Sequence, residues 1–266
     1  NEIGGPFSVN EGGQVALSGS ATGGSGGYTY SWDLDGDGNY GETGADAKNG
    51  NETGASPTFR AGNIDGGPGA TWQVRMYATD SNGARSHSTH ALITVNNVAP
   101  TIGPIAGAIT GYTGQPLEYT FSASDPSFED SLAIAYTIDW NGDGSDMQTV
   151  IGPASGVTVT HYYGSAGQFQ IKATASDTDG GKSAVRTLNV SIASESFANG
   201  NLMIGGTHGD DNIRFAYLAD GRIRFNRNAT GWSPAYLVNG VITVYGGLGN
   251  DTIAMPDAPI PGVLYG

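Results

Sequence analysis

The chain of 266 residues contains no cysteine. Disulfides are thereby excluded, and stability has to come from apolar packing, from bound metal, or from both. Basic residues are scarce, 11 Lys and Arg against 25 Asp and Glu, which leaves a net charge of −14. No basic stripe exists to neutralise phosphates, so the composition argues against binding nucleic acid, whereas divalent cations suit the charge. Long apolar runs are missing too. None approaches membrane-spanning length, and the polar, glycine-rich residues after Asn1 do not form a secretion signal. The sequence therefore reads as an internal piece of something longer, with no membrane insertion of its own.

Helical periodicity is equally hard to find. What is present instead is a series of short strand-like runs: QVALSGS, WQVRMYATD, HALITV, LEYTFSAS, IAYTIDW, GVTVTHYY, QFQIKATASD, RTLNVSI, GRIRFN and GVITVY. Each is bounded by Gly, Pro, Asn, Asp or Ser clusters, the punctuation expected of β-sandwiches. The apolar share of 38% supports several small cores rather than one large one. The chain is expected to be all-β.

Sliding the sequence along itself by roughly a hundred residues brings its motifs into order. VALSGS (15–20) meets YTFSAS (119–124), TYSWDLDGDG (29–38) meets AYTIDWNGDG (135–144), and MYATDSNG (76–83) meets ATASDTDG (173–180). Loop lengths differ between the copies, so the repeating unit is a domain. In each copy a strand ends in closely spaced acids: Asp33, Asp35 and Asp37 in the first, Asp139, Asn141 and Asp143 in the second. A later strand ends in a further aspartate, Asp80 or Asp177. Two readings stand side by side. Carboxylates at alternate positions of a glycine-rich loop can converge on Ca²⁺, which takes six to eight oxygens. The same residues also make good solvated Asx-Gly turns. An EF-hand is rejected, because Gly44 stands where that loop needs its bidentate Glu and no helices flank it.

The paired motifs YSWDLDGDG with YATDSNG and YTIDWNGDG with TASDTDGG, together with NNVAP (96–100), resemble the polycystic kidney disease (PKD) domain, an immunoglobulin-like sandwich common in secreted and surface proteins. The resemblance implies tandem domains at 1–97 and 98–193. Some members of the family bind Ca²⁺ at one end of the sandwich. Carried over, that site would use Asp33, Asp35 and Asp80 in the first domain, with Asp37 as the alternative to Asp35. In the second it would use Asn97, Asp139, Asn141 and Asp177. Trp32 and Trp140, beside the acidic clusters, are expected in the cores.

From about residue 194 the pattern changes. NLMIGGTHGDDNIRF (201–215) and VITVYGGLGNDTIAM (241–255) share an apolar strand, a glycine turn, an Asp and a second short strand. They resemble the RTX, or haemolysin-type, calcium-binding repeat, which would draw Gly206, Gly209, Asp211, Gly247, Gly249 and Asp251 into calcium turns; ordinary glycine turns are the alternative. Forty residues separate Asp211 from Asp251, against about eighteen between successive coils of that family, and GRIRFNRNATGWSPAYLVNG reads as an inserted hairpin. VLYG (263–266) echoes TVYG (243–246), as if a third turn began there. The expectation for 194–266 is a small β-roll-like element.

No catalytic constellation emerges. His87 and His90 lie three apart on a strand and so face opposite sides, which rules against a shared zinc. His161 and His208 read as surface residues. No G-x-S-x-G elbow occurs. Trp72 is expected to be buried, and Trp232 is the best candidate for an exposed aromatic that meets sugar rings. The whole is expected to be a non-catalytic, calcium-stabilised structural or adhesive segment of a large bacterial extracellular or cell-surface protein. Its expected partners are calcium ions, copies of itself or neighbouring surface proteins, and surface polysaccharide. The alternatives are a subunit of a self-assembling fibre or surface layer, a carbohydrate-binding accessory region of a secreted hydrolase, and a fragment whose enzyme domain lies outside it.

Overall fold

The computed structural model describes residues 1–62, 64–255 and 260–266. All ten apolar runs contain strands, and their alternating burial follows from the period-2 geometry of a strand. In Thr71–Thr79, Val74, Met76 and Ala78 face the core while Gln73 points to water. Trp72 lies on the core side but is only half buried.

In the first sandwich, Phe7–Asn10 runs parallel to Thr89–Asn96, followed in antiparallel order by Thr71–Thr79 and Thr29–Asp33. Gln14–Ala16 pairs with Thr58–Arg60 across a core of Trp32, Leu34, Phe59, Val74, Met76 and Ile93. The second copy repeats this plan. Thr110–Tyr112 runs parallel to Arg186–Ala193, and Gly167–Ser176, Ile134–Asp139 and Met147–Gly152 complete a five-stranded sheet. It faces a three-stranded sheet of Ala106–Gly107, Leu117–Phe121 and Val157–His161. Trp140 fills the centre against Tyr119 and Phe121; truncating such a side chain to Ala costs about 3–5 kcal/mol. These are immunoglobulin-like sandwiches, and both tryptophans lie in the cores as expected.

The C-terminal region has its own core around Leu202, Ile204, Ile213, Ile242 and Val244. Here the strands stack in parallel: Asn201–Thr207 on Ile242–Gly247, and that on Gly262–Tyr265. A second sheet places Asn212–Tyr217 on Thr252–Ala254. Leu202 stands opposite Ile242, and Ile242 opposite Gly262, so the first coil is forty residues long and the second twenty. The longer coil contains Ile223–Arg227, folded back antiparallel on Asn212–Tyr217. This is the inserted hairpin, in a roll-like element whose repeat continues through VLYG.

One feature has no counterpart in the sequence reading. A single helical turn, Phe128–Leu132, follows the short strand Ala123–Ser124 of the second sandwich, and Ser127 caps it by accepting from Asp130 N–H at 3.3 Å. It is the only helix among the described residues, and none is long and apolar enough to cross a membrane.

Candidate metal centre

Strand direction decides which of the acids can meet. Thr29–Asp33 and Thr71–Thr79 are antiparallel, with Asp33 opposite Arg75 and Thr29 opposite Thr79. Asp33 and Asp80 therefore close opposite ends of the pair, about 15 Å apart at the rise of an extended chain. The same holds in the second copy, where Asp139 stands opposite Lys172 and Ala135 opposite Ser176. The combinations Asp33 with Asp80 and Asp139 with Asp177 are thus not brought together, because two strand C-termini lie at opposite ends of an antiparallel ladder.

The acidic loops also have basic neighbours of their own. The cross-strand partner of each strand-ending aspartate is cationic: Arg75 pairs with Asp33 at 3.3 Å, and Lys172 Nζ donates to Gly142 O at 2.5 Å. Most remaining oxygens accept local N–H groups, while Asp35 Oδ2 is buried without a partner. Asp33 Oδ1 takes Gly36 N, Asp37 takes Asn39 N and Nδ2, and Asp139 takes Gly142 N and Gly144 N. Asn141 and Asp143 make the same kind of Asx turn. Glycines at 36, 38, 142 and 144 have positive φ, which such tight loops require. Within the first loop, Asp33, Asp35 and Asp37 each offer an oxygen within 4.8 Å of the other two, as the sequence suggested, and Asp35 also meets Glu42 and Glu52 in the same way. Glu52 is buried, and that burial raises its pKa, but both its oxygens already accept from Leu34 N and Glu42 N.

A different arrangement occupies the end of the second sandwich that meets the first. Asp125, Asp130 and Asp177 each place an oxygen within 4.8 Å of the other two. Asp125 follows the strand Ala123–Ser124, Asp130 sits in the helical turn, and Asp177 ends Gly167–Ser176. Asn97, from the junction, donates Nδ2 to Asp177 Oδ2 at 3.1 Å. Local donors hold one side of each group: Ser127 N on Asp125 Oδ1, Thr178 N and Oγ1 on Asp130 Oδ1, and Gly181 N on Asp177 Oδ1. On the other side only Asp177 has a donor, Asn97 Nδ2. Asp125 Oδ2, Asp130 Oδ2 and Asn97 Oδ1 are buried without a hydrogen-bond partner. Asp130 is wholly buried, and the described ion pairs all lie elsewhere. Burial raises the Asp125 pKa, and the charges of Asp130, Asp177 and Asp65 raise it further. An unpaired buried carboxylate is costly. A set of hard oxygen donors with open lone pairs fits a hard cation such as Ca²⁺, and it fits no soft metal.

Asn97 and Asp177 were legible as candidates; Asp125 and Asp130 were not. The signal that could have found them is the stretch DPSFED (125–130), which follows a matched strand in a place where the first copy has only ATGGSGG (21–27).

In the C-terminal region the two glycine turns stack directly on each other. Asp211 N donates to Asp251 Oδ1 at 2.9 Å, and Asn250 N to Asp210 Oδ1 at 2.8 Å. Asp211 is saturated by Thr207 N, Thr207 Oγ1 and Asn228 Nδ2, while Asp251 Oδ2 is buried and unpartnered. Gly206 and Gly246 are needed for the approach of the coils, since a Cβ on Gly206 would collide with Gly246 O. Gly247 and Gly249 have positive φ, and Gly209 lies against Gly249 in the stacked turns.

The histidines form no acid-rich triad among the described residues. His161, expected at the surface, is instead stacked flat on Trp140 at 4.1 Å between centroids. Trp232 is 47% exposed, but Arg224 lies over its ring at 4.6 Å and covers one face.

Residues 97–192, about a third of the chain, match the family model of the PKD domain. No curated protein matches the chain. Among solved structures, the PKD domain of an M14-like peptidase from Thermoplasmatales archaeon SCGC AB-540-F20 is similar at 29% identity, over 36% of this chain and 97% of that one, with a TM-score of 0.31. The fibronectin(III)-like modules of Clostridium thermocellum CbhA are similar at 18% identity, over 72% and 93%, with a TM-score of 0.30. The FN1-FN3 domains of chicken CNTN1 are similar at 11% identity, over 85% and 72%, with a TM-score of 0.33.

Proposed function

We propose that this chain is a non-catalytic spacer of an extracellular or cell-surface protein, a rod of tandem PKD-like sandwiches leading into a partial RTX-like roll and stabilised by calcium. One observation carries the reading: Asp125, Asp130 and Asp177 each place an oxygen within 4.8 Å of the other two, while Asp125 Oδ2, Asp130 Oδ2 and the Oδ1 of Asn97, which bonds Asp177, are buried with no hydrogen-bond partner. Asn97, Asp125, Asp130 and Asp177 would hold the ion. Calcium there supplies the positive charge that the fold omits, and it couples folding of the second sandwich to the high calcium outside a cell. The rod's role is spacing and presentation.

The test is calorimetric titration of the chelator-stripped chain with calcium, with thermal melts in parallel. Saturable binding and a raised Tm are expected, about 2.7 kcal/mol of stabilisation at a free concentration a hundred times Kd. Absence of heat and of any shift at millimolar calcium would reject the reading. Self-assembly is a second reading, favoured by the edge of the roll, where Val263, Leu264 and Tyr265 are exposed on a strand paired on one side only, with Ile242–Gly247. Concentration-dependent sedimentation that vanishes on charging Leu264 would support it.

A further inference from the structure

The first sandwich also reaches into this acidic end. Glu11, just past Phe7–Asn10, is buried at the boundary, with Oε1 accepting Val98 N at 2.7 Å and Oε2 accepting Gly66 N at 2.9 Å. Asp65, in the loop beyond Thr58–Arg60, crosses to the second sandwich and accepts from Ser127 Oγ at 2.6 Å. Glu11, Asp65 and Asp130 each offer an oxygen within 4.8 Å of the other two. Asp130 thus belongs to two triads, one within its own domain and one spanning the boundary. Its Oδ2 is wholly buried and has no partner.

The neighbouring chain is pressed close. A Cβ on Gly12 would meet Pro126 Cβ at 2.6 Å, and one on Gly67 would meet Asp179 Oδ1 at 2.7 Å. Glu11, Asp65, Asp125, Asp130, Asp177 and Asp179 therefore bring six carboxylates to one interface, and the described ion pairs supply no cation to it. One divalent ion leaves most of that charge uncompensated. Burial raises the pKa values of Glu11 and Asp179 as well as Asp125. The interface as it stands opposes its own full ionisation.

We propose that a second divalent cation binds between Glu11, Asp65 and Asp130, sharing the Asp130 carboxylate with the ion of the second sandwich, and that it locks the two sandwiches at a fixed angle. This rests on the calcium reading above and adds ligands from the other domain. Without the ion, repulsion among the carboxylates loosens the junction; with it, the boundary becomes a rigid joint. The rod would then stiffen on passing from low to high calcium without either sandwich having to refold.

The experiment uses the full chain, which has no native cysteine to interfere with labelling. Nitroxides are placed by Thr58→Cys and Gln168→Cys, exposed positions on the two sandwiches, and the distance distribution is measured by pulsed electron resonance with chelator and with CaCl₂. Calorimetry counts the ions. Calcium is expected to narrow the distribution. Asp65→Asn keeps an oxygen for Ser127 and removes an exposed charge, so the fold should survive; it should bind one ion fewer than its parent, or bind it at least tenfold more weakly, and lose the narrowing. The calcium-induced rise in Tm of the second sandwich should persist in that variant. Asp125→Asn should weaken the other ion, so the two positions fail separately. Unchanged stoichiometry and unchanged narrowing in Asp65→Asn would overturn the lock while leaving the calcium reading intact. No binding by the parent chain would overturn both.

Discussion

Asp80 and Asp177 occupy the same place in two copies of one fold, each ending the long strand of its sheet, and their surroundings are opposite. Around Asp80 the loop 21–27 curls in and answers the charge with neutral donors: Ser25 N on Oδ2, Asn82 N and Ala84 N on Oδ1. Those hydrogen bonds, from Ser25 first, hold the Asp80 pKa below its ordinary value. Around Asp177 the matching segment is DPSFED, which brings more acid instead of more N–H, and burial pushes Asp125 up. One end meets its carboxylate with donors from the chain, and the other leaves buried oxygens of Asp125 and Asp130 without a partner. A domain repeat can therefore keep its strands and core while one loop decides whether its end is a turn or a binding site.

The two junctions of the molecule differ in the same way. Between the second sandwich and the roll, Arg186–Ala193 passes into Glu195–Ala198 with only Ser194 between them. Tyr112 stacks on Tyr245, Gly114 lies against Gly247, and His208 bonds Tyr162 O. That contact is made by aromatic rings, close backbone approach and the His208 side chain. Gly205→Ala should give the largest effect of all. Its Cβ would collide with the backbone oxygen of Thr113, at a cost of about 3 kcal/mol, equally with and without calcium. Thermal melts in both conditions check this; a loss seen only without calcium would mean that the second junction is conditional too.

Asp130→Asn comes next and should act with two signs. In chelator it removes a buried, unpaired charge, so Tm should hold or rise. In calcium it removes the ligand common to both triads, so the stabilisation of about 2.7 kcal/mol at a hundred times Kd should disappear. At about 4–8 °C per kcal/mol for a domain of this size, the difference is easily read in a melt. An equal fall in both conditions would make Asp130 a packing residue, held by Thr178 alone.

How far the sequence discloses this can be judged residue by residue. The strands and the repeat are legible because apolar alternation and Gly/Asp punctuation are local signals. The stacked coils are legible from their glycine turns. The acidic motif DLDGDG is conspicuous, but the sequence does not disclose that one of its charges is met across the strand by Arg75, just as Asp139 is neighboured by Lys172. Those partners lie 42 and 33 residues further on, visible only once register is known. Asp130 is signalled only by the stretch DPSFED, while Glu11 and Asp65 are single acids in two loops, and nothing local distinguishes those two from solvated ones. His161 was invisible for a similar reason, because a strand-end histidine looks exposed until the tryptophan opposite it is placed.

That histidine separates the two copies through pH. Burial against Trp140 pushes His161 down to about 4, although the half-exposed Asp146 carboxylate at 3.6 Å would pull it the other way. The folded value lies below the unfolded one near 6.5, so the unfolded chain takes up the proton first. Stability from this group is full above about pH 6.5 and is lost as pH falls toward 4, about 2 kcal/mol by pH 5. Glu11 and Asp125 act in the opposite direction: their raised values favour the fold when protonated, and that contribution is lost as pH rises through their titration. His161→Phe should flatten the acid limb of the second sandwich in melts between pH 4.5 and 7. An unaltered limb would put the acid sensitivity in carboxylates held below their ordinary values, such as Asp143, whose hydrogen bonds to Ser145 lower it.

The smallest effect should come from Asp80→Asn. The amide can keep Asn82 N and Ala84 N on its oxygen but cannot accept from Ser25 N as well, and it gives up the charge that strengthens all three bonds. The site is exposed, so water replaces what is lost, and only a slight fall in Tm of the first sandwich is expected, the same in chelator and in calcium. The decisive quantity is that sameness. If Asp80→Asn erased part of the calcium response, the outer end of the first sandwich would be a cation site after all, and the loop around Ser25 would be a resting arrangement that calcium displaces. If the response stays whole, donors from the chain itself do at one end what an ion does at the other.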